Sequence, residues 1–294
     1  MAVLTAAAQP DRRRQEQWRA LRKRLIVYGG LTFYAVLAGL PVYWMAVTTF
    51  KADRDLYNLQ NFPLWFNQAP TLDHLNLLFN KTGFVQWLIN TAIVAAAVVA
   101  ITLVLAVPAG YALARLRFPG SESLSIGIFL VYLVPTTVLF LPLVKVVAAL
   151  GLFDKLGSLI VAYPTFTIPF CTWLMAGFFK SIPPEIEEAA MVDGCSRVGA
   201  IRRVVLPLSM AGMLTVAIFA FTLSMQDFIY ALSFVSSSDQ KVVSVGVVTE
   251  LIRGDVFFWG SLMAGALIAG VPVAILYSFF LDYFVEGITG GAVK

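Results

Sequence analysis

Residues Glu187 to Pro207, EEAAMVDGCSRVGAIRRVVLP, gather two glutamates, an aspartate and three arginines around Gly194. Charges so spaced can recognise and grip another surface, but they supply no bond-breaking centre. No GxxxxGK[ST] phosphate cradle accompanies them, and no Gly-Lys pair occurs anywhere in the chain, so that route to ATP hydrolysis is absent. Pro183 and Pro184 suit a helix start, where a missing N–H is harmless. Glu185, Glu187 and Glu188 then fall in the first turns, where the helix dipole favours negative charge. Ile186, Ala189 and Ala190 share one smooth face by i, i+3, i+4 spacing. Gly194 ends the helix cheaply at positive φ. Ser196 can cap a second short helix, whose apolar side carries Val198, Ile201 and Val205 beside Arg197, Arg202 and Arg203. Pro207 marks the start of a long apolar run. Such a unit is either a solvated amphipathic loop or a lever, since whatever grips the bend can push on the helix fused to it.

A second group lies in SMQDFIYAL, where Asp227 is flanked by Gln226 and Tyr230. A carboxylate at membrane depth marks a functional site by default; near a span end it can equally be an interfacial residue reaching water. No chain of buried Asp, Glu or His suggests a proton relay, which weakens the case for an ion-coupled carrier.

The elements that must position these residues are set by composition. Hydrophobic residues make up 59% of 294 and charged ones 13%, about half the globular share of roughly 25%, and the mean hydropathy is +0.82. A membrane span needs about 20 apolar residues. Six runs qualify: Leu25–Phe50, Phe84–Leu113, Leu124–Val144, Gly157–Phe179, Leu208–Leu232 and Trp259–Phe284. The expectation is an all-α membrane protein of six transmembrane helices. Its six-span domain covers 24–285 and includes a charged loop over 180–207. A basic, disordered tail of 1–23 precedes it and a short tail of 286–294 follows. With the N-terminus inside, fourteen of the 21 lysines and arginines fall on the cytoplasmic side, which predicts both termini in the cytoplasm. This bias explains the net charge of +4 without a nucleic-acid partner. The basic start followed by a long apolar stretch reads as an uncleaved first span, not a signal peptide. Cys171 and Cys195 form no disulfide or metal framework, and the lone His74 reads as a solvated side chain in an exterior loop.

Several spans are interrupted. Pro41, Pro108 with Gly110, Pro135, Pro142, Pro164, Pro169 and Pro272 lie within five of the six runs, and each proline removes a backbone donor. So many breakers point to a bundle that moves or lines a path. Ala266, Gly270 and Ala274 recur every four residues, a small-residue face that lets helices approach closely, whether within the chain or between subunits.

The pattern Glu188-Ala189-Ala190, three residues, Gly194, nine residues, Val204, one residue, Leu206-Pro207 resembles the signature loop of ABC importer permeases, with Val204 where isoleucine is usual. YALARLRFPG (111–120), GLFDKLGSLI (151–160) and the tail EGITGGAVK (286–294) are similar to the carbohydrate-uptake branch, near the smaller permease of maltose-type transporters. The resemblance implies a type I importer fold in a bacterial or archaeal cytoplasmic (inner) membrane. It also implies a second permease subunit, two ABC ATPase subunits that bind ATP and Mg, and an extracytoplasmic sugar-binding protein; the chain itself needs no cofactor and is no enzyme. On this reading Glu187, Glu188, Ala189, Ala190, Asp193, Gly194, Arg197, Leu206 and Pro207 couple to the ATPase. Glu286, Gly287, Thr289 and Gly291 reach toward it as an extended tail, and Asn90, Gln226, Asp227 and Tyr230 offer hydrogen bonds and an aromatic face to a sugar. Of the family's tryptophan-asparagine-acid pattern near the end of the fifth span, Met225-Gln226-Asp227 keeps only the acid. A permease for a polyamine or phosphate ester would share the loop, and a secondary carrier would transport without any ATPase.

Overall fold

The computed structural model describes residues 10–116 and 118–289. In chain order the elements are α1 (Pro10–Phe50), α2 (Asp53–Leu56), α3 (Asp73–Lys81), α4 (Phe84–Arg115), α5 (Ser121–Tyr132), α6 (Thr136–Ala149), α7 (Leu156–Ala162), α8 (Pro164–Ser181), α9 (Pro184–Val192) and α10 (Arg197–Ala200). A π-helical turn (Ile201–Val205), α11 (Leu206–Leu208), α12 (Met210–Gln226), α13 (Ile229–Phe234) and α14 (Val243–Leu251) follow. The two-residue strands β1 (Ile252–Arg253) and β2 (Val256–Phe257) form a hairpin before α15 (Trp259–Thr289).

Among the described residues four stretches are long and apolar enough to cross a membrane: Gln17–Phe50, Phe84–Arg115, Leu156–Ser181 and Trp259–Phe280. The third and fifth expected runs are not straight spans. The third breaks at Pro135 into α5 and α6, which meet at 94°: proline supplies no N–H to continue the helix, and Pro135 itself is extended at ψ 129°. The helix that includes Pro207 meets α12 at 71° across Ser209. The fifth run also ends early: Asp227 is extended (φ −67°, ψ 133°), so α12 stops at Gln226 and a short α13 begins after the break. Counting each bent pair as one span gives up to six.

Helices α8 and α12 pack on α4, while α1 packs along α15, which in turn meets α12. The C-terminal half of α4 meets α8 where Gly110 replaces a side chain: a Cβ there would lie 2.6 Å from that of Met175, so only glycine permits this approach. Around the contact Ala106, Tyr111, Cys171, Met175, Phe179, Val205, Val216 and Ala220 form one apolar core. A second core joins Val94 and Val98 to Tyr163, Tyr230 and Phe234. The third, at the N-terminal end of α4, is built on Phe84, Trp87, Leu78 and Leu251. By contrast, Ala266, Gly270 and Ala274 are exposed, with nothing within 4 Å of a Cβ placed on Gly270. Among the described residues nothing packs closely on Gly270, and this small-residue face stays open.

Three expectations are corrected. The basic tail is helical from Pro10 and runs unbroken into the first span, since Arg, Gln, Glu, Leu and Lys are strong helix formers; residues 1–9 lie outside the described residues. At the other end α15 stays helical through Glu286, Gly287 and Thr289, so the extended tail does not begin at Glu286; Gly291 lies outside the described residues. His74 is not solvated. It sits buried on α3, its Nε2–H donating to the Lys51 carbonyl at 2.7 Å, while Ser261 Oγ donates to the His74 carbonyl at 3.0 Å. The ring thus fastens the end of α1 to α3, and the His74 carbonyl fastens the start of α15.

Candidate functional site

The connector between α8 and α12 follows local rules residue by residue. Pro183 takes φ −56° and ψ 129°, and Pro184 opens α9 with its missing N–H at a position that needs none. At the other end Gly194 lies at φ +92°. Its N–H donates to the Met191 carbonyl at 3.1 Å, and that of Cys195 donates to the Ala190 carbonyl at 3.0 Å. This pair of bonds is a Schellman motif, which satisfies the orphan carbonyls of the last turn and needs a left-handed residue at its centre. Ser196 then caps α10, its Oγ accepting from the Gly199 N–H at 3.2 Å. The chain loosens into the π turn before α11, and Val205 anchors that turn in the core around Tyr111. The result is two short helices, bent at a glycine and joined through the π turn, α11 and the 71° bend at Ser209 to the long apolar α12.

The acidic residues of α9 divide by face. Glu188 and Ala189 are exposed, as are Asp193, Gly194, Arg197 and Pro207, and Leu206 is half-buried. Val192 is 87% exposed and Ile186 39%, so apolar side chains stand open beside the charges. Glu187 departs from the expected ATPase-facing set, because it is only 5% exposed and turns toward α4. Its Oε1 accepts from the Tyr111 hydroxyl at 2.5 Å, and its Oε2 lies 3.7 Å from Arg115 Nε. Arg197, at the start of α10, brings its Nε within 3.9 Å of Oε1. A buried carboxylate needs such partners, since desolvation without them costs several kcal/mol. Arg115 in turn donates from a terminal nitrogen to the Ile182 carbonyl at 2.5 Å, just past the end of α8.

The four residues expected to face a sugar are placed differently from one another. Gln226 is exposed at the end of α12. Asp227 is half-buried at the break, accepting from the Tyr163 hydroxyl at 3.0 Å and the Ala231 N–H at 3.1 Å, so it caps the start of α13. Tyr230 is buried among Phe140, Phe166 and Phe234, and its hydroxyl donates to the Thr136 carbonyl. Asn90 is buried as well, donating to the carbonyls of Asp239 and Lys241 at 2.8 Å each and accepting from Gln86 at 2.9 Å. Asn90 and Tyr230 therefore spend their polar atoms on structure, and the sequence-level expectation that both face a path is corrected.

What Asn90 holds is a strap over 236–243 at the end of α4 opposite the connector. Trp87 Nε1–H donates to the Ser238 carbonyl at 2.7 Å, and the Val243 N–H donates to Thr91 Oγ1 at 2.9 Å. Asp154, in the left-handed region at φ 57°, fastens the other edge by accepting from the N–H groups of Ser236 and Ser237 and from the Ser237 hydroxyl. Those bonds, the Ser237 hydroxyl first, hold its carboxyl down at about 2. Sequence reasoning missed Asp154; its only signal was a place in the GLFDKLGSLI stretch.

Broken apolar helices around α4, with a bent, charged two-helix connector at one end, define a membrane transport permease. Residues 106–290 match the family described as the binding-protein-dependent transport system inner membrane component. The chain is 32% identical over 273 residues to the inner membrane ABC transporter permease protein YcjP of Escherichia coli (strain K12), covering 92% of this chain and 96% of that one. It is 36% identical over 256 residues to the sulfoquinovosyl glycerol transport system permease protein SmoH of Agrobacterium fabrum, covering 86% and 88%. With the trehalose/maltose transport system permease protein MalG of Thermococcus litoralis it shares 29% over 274 residues, 92% and 97% of the two chains. In fold it is similar to a chain of a bacterial ABC transporter involved in the import of the acidic polysaccharide alginate, with a TM-score of 0.73 at 18% identity over 95% of this chain and all of that one. The chain belongs to the binding-protein-dependent transport system inner membrane component family and has the type I ABC importer permease fold. It is a transport subunit, not an enzyme.

Proposed function

We propose that the chain is the permease subunit of an ATP-driven sugar importer, forming half of the translocation path beside a second permease. Two ABC ATPase subunits, holding ATP and Mg, grip the α9–α10 connector from the cytoplasm, and an extracytoplasmic binding protein delivers the sugar. In this reading six spans cross the membrane, each bent pair counting as one, and both termini are cytoplasmic. The observation that carries the proposal is the connector itself. Glu188, Ala189 and Val192 stand exposed on a helix closed by a Schellman turn at Gly194, and the chain runs on through α10, the π turn and α11 into α12, so a push on α9 has a route into the bundle. The positive charge bias of that side supports its cytoplasmic placement. The names of relatives, which include permeases for sulfoquinovosyl glycerol and for trehalose and maltose, support a sugar as cargo. A solved alginate transporter of similar fold (TM-score 0.62) is in complex with a periplasmic protein bound to an alginate pentasaccharide, which supports a delivered substrate. The open face of Ala266, Gly270 and Ala274 supports a second permease as neighbour.

The test is gentle purification of the tagged chain from its own cells, followed by reconstitution in liposomes. An ATPase and a second permease should copurify, and ATP hydrolysis should rise severalfold when a sugar-loaded binding protein is added. Solute uptake by the chain alone under an ion gradient would contradict the proposal.

A further inference from the structure

Glu187 sits where four elements meet. It belongs to α9, contacts Tyr111 and Arg115 of α4 and Arg197 of α10, and through Arg115 reaches the backbone at the end of α8. The junction is also incomplete. Arg115 Nε is buried and has no hydrogen-bond partner among the described residues; the carboxylate oxygen it faces is 3.7 Å away, beyond hydrogen-bond reach. Native structures rarely leave a buried donor unsatisfied, and closing this gap needs a shift of α9 toward α4 of only about 0.8 Å.

We propose that Glu187 is a positioning residue whose carboxylate latches α9 to α4, so that displacement of the connector is carried into α4 as well as into α12. The inference rests on the transporter reading above and deepens it, giving the adjacent glutamates opposite duties. Glu188 faces outward toward the partner, and Glu187 faces inward to the bundle. Without the latch, α9 is joined to the bundle only through Pro183 at one end and the loose π turn at the other, and a push on it is absorbed by the bend. Tyr111 and Arg115 hold their places because the Gly110 contact fixes α4 against α8.

The complex of this chain with its ATPase, second permease and binding protein separates these duties. Glu187→Gln and Tyr111→Phe should each keep the ATPase subunits bound while uptake per ATP hydrolysed falls about fivefold or more, the range of ordinary coupling energies. The double variant should be no worse than the poorer single one, because both act through one contact. Glu188→Arg, by contrast, should reduce the amount of copurifying ATPase. Amide hydrogen exchange over 184–193, read on the variant chains without nucleotide, should quicken in both latch variants. Unchanged exchange in Tyr111→Phe, uptake per ATP equal to that of the unaltered complex, or ATPase loss in Glu187→Gln as severe as in Glu188→Arg would each overturn the latch. An unaltered complex that does not couple hydrolysis to uptake would instead sink the transporter reading, and the exchange measurement would still judge the latch.

Discussion

Gly194→Val is expected to cut uptake at least about tenfold while the chain still reaches the membrane at its normal level. The position lies at φ +92°, and no atom stands within 4 Å of where a Cβ would be. A valine therefore meets no clash, and the whole effect comes from the backbone. Left-handed geometry costs an ordinary residue about 1–2 kcal/mol, and a β-branched one is a genuine outlier there. The cheapest escape is to open the Schellman turn and re-aim α9 relative to α10. Membrane insertion depends on apolar runs that the substitution does not touch. Gly194→Asn, which tolerates the left-handed region, should keep most of the activity. Labelled-sugar uptake set against immunoblotted membrane protein checks both variants, and normal uptake by the valine variant would contradict the lever.

Asp55→Ala is expected to cost the most stability, about 3–5 kcal/mol, because it strands a buried cation. Lys51 is 3% exposed, and its Nζ lies 3.6 Å from Asp55 Oδ1. The same carboxylate accepts from the Asn67 N–H and from the side chains of Asn67 and Asn61 at 2.8–3.0 Å, so it ties the loop after α1 into one knot. The ammonium keeps the Phe62 carbonyl at 2.9 Å, which places the loss toward the lower end of that range. Burial alone pushes the Asp55 carboxyl up, but the bonds from Asn67 and Asn61 and the Lys51 charge outweigh it and hold the group below the ordinary value, which is about 3.9. Its contribution is therefore complete above about pH 4 and is lost as pH falls through the lower folded value. Thermal unfolding in detergent should show a melting temperature roughly 6 °C or more lower for Asp55→Ala. Equal melting of the two proteins at pH 7 would remove the knot from the account.

How much of this was legible in the sequence depends on the range of the interactions. The connector was read nearly whole, because Pro184, Gly194 and Ser196 act within one turn of themselves. The apolar runs were found for the same reason, but their straightness was not. Pro135 and Asp227 break their runs, whereas Pro108 is absorbed within α4, and only packing decides which residues break a helix. The inward turn of Glu187 was hidden because its partners Tyr111 and Arg115 lie some seventy residues earlier. Asn90 and Tyr230 looked like substrate ligands on residue type alone. Their hydrogen bonds go to backbone carbonyls of distant segments, which no local pattern reveals. His74 shows the same limit: it reads as a solvated loop residue, and neither its place on α3 nor its burial beside α15 has a local signal.

The central claim is that α9 is the surface a separate ATPase grips, and Val192, 87% exposed on that helix, is the place to ask. A photoreactive amino acid at position 192 in the assembled transporter should, on illumination, yield an adduct with a nucleotide-binding subunit, and the yield should change when ATP is added. No adduct with such a subunit, or one with a protein from the opposite side of the membrane, would contradict the account.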